Sequence, residues 1–126
     1  MAISGQVKIT VVEGNLTHDT ELFSKMDPYV KLVFNNQTFK TATHHEGGKK
    51  PRWNKQFELY VSDIGKEISF TVMDEDMVTD DHVGTLQTRV CDIIGQEKLG
   101  KEDWYEIRYK GKPAGKLCLR TEFKSN

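Results

Sequence analysis

The sequence predicts an all-β domain, with about eight short strands packed as an antiparallel β-sandwich. Three observations predict it. Apolar and polar residues alternate with period two in several short segments, turn-forming residues separate those segments, and no long amphipathic helix lies between them to cross over a parallel sheet. The 126 residues suffice for one domain that buries roughly two thirds of the surface of its unfolded chain, and are too few for two. A single domain over residues 1–126 is expected, since neither end reads as a linker.

Val7, Ile9 and Val11 alternate with Lys8 and Thr10, the pattern of a strand with one buried and one wet face. A polar segment follows from Glu13 to Met26. Tyr29 to Phe34 is rich in β-branched and aromatic residues, Asn35-Asn36 supplies a turn, and Thr38 to Thr43 returns as its hairpin partner. Phe57, Leu59 and Val61 alternate, as do Ile68, Phe70 and Val72, with turn chemistry from Ser62 to Lys66 between them. Further strands are expected at Val83 to Val90, Trp104 to Tyr109 and Lys116 to Phe123, and one helical turn around Cys91 to Leu99.

Composition excludes several functions. A formal net charge of -1 argues against nucleic acid held by a broad basic face. No stretch approaches the roughly 18 apolar residues of a spanning helix, and Met1 to Gly5 lacks the basic and apolar regions of a signal peptide, so a cytoplasmic protein is expected. Cys91 and Cys118 fit two reduced, buried thiols better than a disulfide. The signatures of hydrolases, zinc peptidases and phosphate-binding P-loops are missing, and Trp53 and Trp104 read as core residues, so no enzyme is expected.

The chemistry concentrates in carboxylates. Glu21 and Asp27 stand in one segment, and Asp74, Asp76, Asp80 and Asp81 in another, each flanked by strand-like sequence. Clustered carboxylates repel and raise one another's pKa, so such a cluster persists most naturally around a metal, and calcium takes six to eight oxygen ligands at flexible angles. Pro28 biases Asp27 toward an extended backbone at a loop-to-strand junction. Asp74 and Asp76, two apart at a strand end, would point the same way about 6 to 7 Å apart at a rise of about 3.3 Å per residue. One of Asp80 and Asp81 would close the shell. An EF-hand fails, because Val78 and Thr79 stand where its loop needs an oxygen ligand and a glycine.

Met26-Asp27-Pro28-Tyr29-Val30, Lys50-Pro51-Arg52-Trp53-Asn54 followed by Phe57, and Asp74-Glu75-Asp76 through Asp80-Asp81 to Gly84 together resemble a C2 domain over about residues 5–123. The start directly before the aspartate loop and the close on Gly115-Lys116-Leu117 resemble its circularly permuted, type II form, whose outer strand comes last. The resemblance implies a sandwich with three loops at one end that bind calcium and then a phospholipid headgroup. It also implies ligand roles for Asp27, Asp74 and Asp76. Glu21 replaces an aspartate, with Asp19 as a substitute, and the last ligand is Asp81 or Asp80.

Leu22 and Phe23 in the first loop, and Met77 with Val78 in the other acidic loop, are expected to insert into a membrane. Lys40, Lys49, Lys50 and Arg52, with Lys55, form the densest basic region, near strands that in the family carry a lysine-rich face for phosphoinositides. The expected function is calcium-dependent binding of an anionic phospholipid membrane by a cytoplasmic monomer that becomes peripheral when calcium rises. The alternative is a calcium-independent adaptor that binds a protein or phosphoinositide.

Overall fold

The computed structural model describes residues 2–96 and 99–126. Eight strands follow in order: β1 (Gly5–Leu16), β2 (Pro28–Phe34), β3 (Gln37–Lys40), β4 (Arg52–Val61), β5 (Glu67–Asp74), β6 (Asp81–Arg89), β7 (Lys101–Tyr109) and β8 (Lys112–Ser125). All neighbouring pairs are antiparallel, in the order β3-β2-β5-β6-β7-β8-β1-β4. The link from β6 to β7 is a single register pair, Thr85 with Arg108. At that seam the sheet curls, and its halves close over one core as a sandwich. The last strand, β8, lies between β7 and the first strand, the permuted order that the sequence resembles.

Alternation builds the core. Val7, Ile9 and Val11 on β1, Ile68, Phe70 and Val72 on β5, and Leu117, Leu119 and Phe123 on β8 all face inward and are buried. Asn35 and Asn36 make the β2–β3 turn at positive φ, 52° and 63°, which asparagine tolerates. Besides a bulge at Val12 of β1, two bulges interrupt the ladders near one end of the molecule. Val83 is an extra residue in β6 against β5, and Ala114 an extra residue in β8 against β7.

Several expectations shift. β1 runs on to Leu16, and Met26, within the expected polar segment, is fully buried. The helical turn reduces to a single 3₁₀ turn at Val90–Asp92, and residues 97 and 98 of the expected segment lie outside the described residues. Cys118 is buried, but Cys91 on that turn is exposed, because Val90 is the residue the turn turns inward. Trp53 packs against the core, whereas Trp104 is 43% exposed, standing opposite Cys118 on the outer face of β7. No helix among the described residues is long and apolar enough to cross a membrane.

Candidate functional site: a carboxylate pole

Strand pairing brings the two acidic segments together. Pro28, Asp74 and Asp81 are register partners across β2, β5 and β6, so the 17–27 loop and the 75–80 loop leave the sandwich side by side. The expectation that both lie at one end is met.

Asp74 is the centre. It is the inward position after Ile68, Phe70 and Val72, so the strand's own period buries it completely. A buried carboxylate must be hydrogen-bonded to be tolerated. Asp74 Oδ1 accepts the Asp27 amide at 2.7 Å and Oδ2 accepts the Thr20 hydroxyl at 2.7 Å, which fixes both oxygens and ties the first loop to β5.

Glu21, Asp74 and Asp81 each offer an oxygen within 4.8 Å of the others. Two ligand oxygens on one calcium, each at about 2.3–2.6 Å, can lie up to about 5 Å apart, so this spacing fits one hard cation. The Glu21 carboxyl is held above the usual range, first by hydrogen bonding to Asp74 and then by Asp74's charge, by desolvation and by the charges of Asp76 and Asp81. A divalent ion would relieve that repulsion. Lysine and arginine do not, since the ion pairs among the described residues are Arg52–Glu13, Arg108–Glu106 and Arg120–Glu102.

The other expected ligands hold their carboxylates outside this trio. Asp76 lies beyond the end of β5, exposed, and its carboxylate accepts the Met77 amide at 2.7 Å. The strand stops at Asp74, the Glu75 amide still reaches the Asp27 carbonyl at 2.9 Å, and the chain bends only from Met77 onward. Asp27 Oδ1 accepts the Glu46 amide at 2.7 Å, joining the first loop to the loop between β3 and β4. Asp80 accepts hydrogen bonds from the Tyr29 hydroxyl and, at 3.0 Å, from the Asp76 amide. These hold its carboxyl below the usual range, Tyr29 first, while burial and then Asp80 push the Tyr29 phenol up to about 12. Asp80 is thereby committed to the loop, and Asp81 joins the trio. Asp19 accepts the Glu21 amide at 2.9 Å and shapes the loop locally.

The loop tips are bare. Leu22 is 90% exposed, Phe23 99%, Met77 100% and Val78 93%. The expected basic region divides among three surroundings. Lys49 and Lys50 line an open cleft of ≈ 360 Å³ with Lys25, Ser24 and Asp19, between the first loop and the β3–β4 loop. Arg52 pairs with Glu13 at 2.9 Å. Lys40 sits opposite Lys31 on β2, its ammonium 5.8 Å from the Tyr29 ring centroid. Sequence reasoning missed Thr20 and Tyr29 as supports, because their partners are 54 and 51 residues away along the chain.

The description of the C2 domain family matches residues 5–107. Human extended synaptotagmin-1 is 33% identical over 99 residues, which are 78% of this chain and 8% of that protein, so the chain spans a small part of this curated relative. Among solved structures, the C2A domain of plant extended synaptotagmin 1 superposes with a TM-score of 0.85 at 24% identity, over 97% of this chain and 95% of that one. The C2A and C2B domains of extended synaptotagmin 2, calcium bound, give a TM-score of 0.78 at 27% identity, over 99% of this chain and 48% of that one.

Proposed function

The chain belongs to the C2 domain family, and from that premise we propose that it is a calcium-dependent module that attaches to anionic phospholipid membranes. The observation that carries the reading is the trio Glu21, Asp74 and Asp81, with oxygens within 4.8 Å of one another and no ion pair to a lysine or arginine among the described residues. These three would hold calcium, with Asp27 and Asp76 near the rim. Bound there, calcium supplies two positive charges and coordination positions open to phosphate oxygens.

The chain's own residues supply the rest. Without the ion, the carboxylates gathered at the pole repel an anionic surface. With it, Leu22, Phe23, Met77 and Val78 can leave water for the interfacial layer, each contributing up to about 1.5–3 kcal/mol if fully buried. Lys25, Lys49 and Lys50 flank the carboxylates and meet lipid phosphates. A cytoplasmic monomer that becomes peripheral as calcium rises follows from this reading.

Co-sedimentation with phosphatidylserine vesicles, in calcium and then in chelator, tests it. Wild-type protein should pellet only in calcium, and Asp74→Asn should remove that pelleting. Equal pelleting in both conditions, or none in either, overturns the calcium switch and favours the adaptor.

A further inference from the structure

The carboxylate pole has a fourth connection that carries no acidic residue, the β7–β8 hairpin. Gly115 on β8 pairs with Leu16 at the end of β1, which brings the hairpin tip to the end of the sandwich where the first loop begins. The two bulges lock this arrangement. The carbonyl of Ala114 accepts the amides of Thr17 at 3.0 Å and His18 at 3.3 Å. The carbonyl of Val83 lies 2.8 Å from His18 Nδ1, and a carbonyl can only accept, so that ring nitrogen carries the proton. His18 in turn stacks on Tyr109 at 4.3 Å between centroids, and His82, next to Asp81, meets the same ring edge-on at 5.4 Å. Tyr109 is thus wedged between a residue of the first loop and the residue that follows Asp81.

The tip itself is basic and open. Lys110 and Gly111 form the turn at φ 49° and 79°, and a Cβ placed on Gly111 would have nothing within 4 Å. Lys110 and Lys112 are exposed, and neither enters an ion pair among the described residues. Lys110 holds its ammonium 5.2 Å from the Tyr109 centroid, and Arg108 braces the turn with a 2.9 Å hydrogen bond to the Gly111 carbonyl.

We propose that the Lys110–Lys112 hairpin tip is a second membrane contact, which binds lipid phosphates beside the carboxylate site and is held in line with both acidic loops by Tyr109. The partner is an anionic bilayer, because two exposed ammonium groups on a stiff projection, neither in an ion pair among the described residues, fit a plane of phosphates at the end of the sandwich where the acidic loop tips are bare. The inference rests on the membrane reading above. Its contribution needs no calcium of its own, and it falls with salt.

The test compares wild type with Lys110→Asn/Lys112→Gln, asparagine being chosen because it tolerates positive φ. Lys66→Gln/Lys124→Gln removes the same charge from the opposite end. Binding to vesicles of phosphatidylcholine with 20–30% phosphatidylserine is measured in saturating calcium at about 0.15 M salt, where the Debye length is about 8 Å. The hairpin variant should lose about fivefold in affinity per lysine removed, converge on wild type at high salt, and keep its lipid-free calcium affinity and melting temperature. The opposite-end variant should bind like wild type. Equal affinity of the hairpin variant and wild type, or equal losses in both variants, overturns the hairpin contact alone. A wild type that does not bind in calcium overturns the membrane reading and the hairpin with it.

Discussion

The Tyr29 hydroxyl donates a hydrogen bond to the Asp80 carboxylate, joining the second residue of β2 to the last residue of the 75–80 loop. Two neighbouring aspartates, Asp80 and Asp81, therefore have different duties: one shapes the loop and the other faces Glu21 and Asp74. Tyr29→Phe should return the Asp80 pKa toward its ordinary value, read directly by carbon-13 titration of its carboxyl group. The sign of the stability effect follows. Asp80's lowered pKa stabilises the fold above the ordinary carboxylate range and that contribution is lost as pH falls through the lowered value. Tyr29's contribution is present below the ordinary tyrosine value and lost as pH rises through about 12. The variant should flatten melting temperature against pH at both extremes.

Asp74 bears a structural duty as well as a proposed ligand duty. Asp74→Ala would strand the Asp27 amide and the Thr20 hydroxyl beside a buried void, and an unsatisfied buried donor costs about 1–3 kcal/mol. Asp74→Asn keeps an acceptor for one of them. Chemical denaturation should rank wild type above Asn above Ala, while calorimetry should find calcium binding lost in both variants. A stable Ala variant would mean that Asp74 does not organise the first loop.

Glu21 is held above the usual carboxylate range by Asp74 and its neighbours, so the folded chain takes up a proton there more readily than the unfolded chain does. The associated stability is complete below the ordinary carboxylate value and lost as pH rises through the raised one. In calcium-free buffer Glu21→Gln should remove this slope and melt higher than wild type at neutral pH. Added calcium should raise the wild-type melting temperature more than that of the variant.

The strands were legible because burial on one face writes a period of two into the chain, as in Val7-Lys8-Ile9-Thr10-Val11 and Ile68 through Val72. Their ends were not. The bulge at Val12 breaks the alternation of β1, so Glu13 reads as the start of a loop although the strand continues to Leu16. The acidic segments were legible as a pair, but which carboxylates converge depends on cross-strand register and on where β5 stops. Of the six carboxylates expected as ligands, Glu21, Asp74 and Asp81 are the three whose oxygens lie within 4.8 Å of one another. Lys40 and Lys49 are close along the chain, yet one stands on a strand opposite Lys31 and the other in a cleft with Lys25. Sequence neighbours separate wherever the backbone turns between them.

The bare side chains at the pole yield a contrast between stability and attachment. Phe23 and Met77 are 99% and 100% exposed, so they contribute almost nothing to the folded state in water. Phe23→Ser/Met77→Ser should leave thermal unfolding within about 0.5 kcal/mol of wild type, as surface substitutions do. Membrane affinity should fall by at least tenfold when the vesicle assay is run in calcium. A variant that loses stability instead would show that these side chains pack in the loops.

The placement of β8 between β7 and β1 has a consequence for biosynthesis. A ribosome releases β1 first and β8 last of the eight, and β1 has only β4 beside it until then. The half-sheet around β1 cannot zip up until β8 has left the ribosome, and the nascent chain must keep Val7, Ile9 and Val11 from other partners until then.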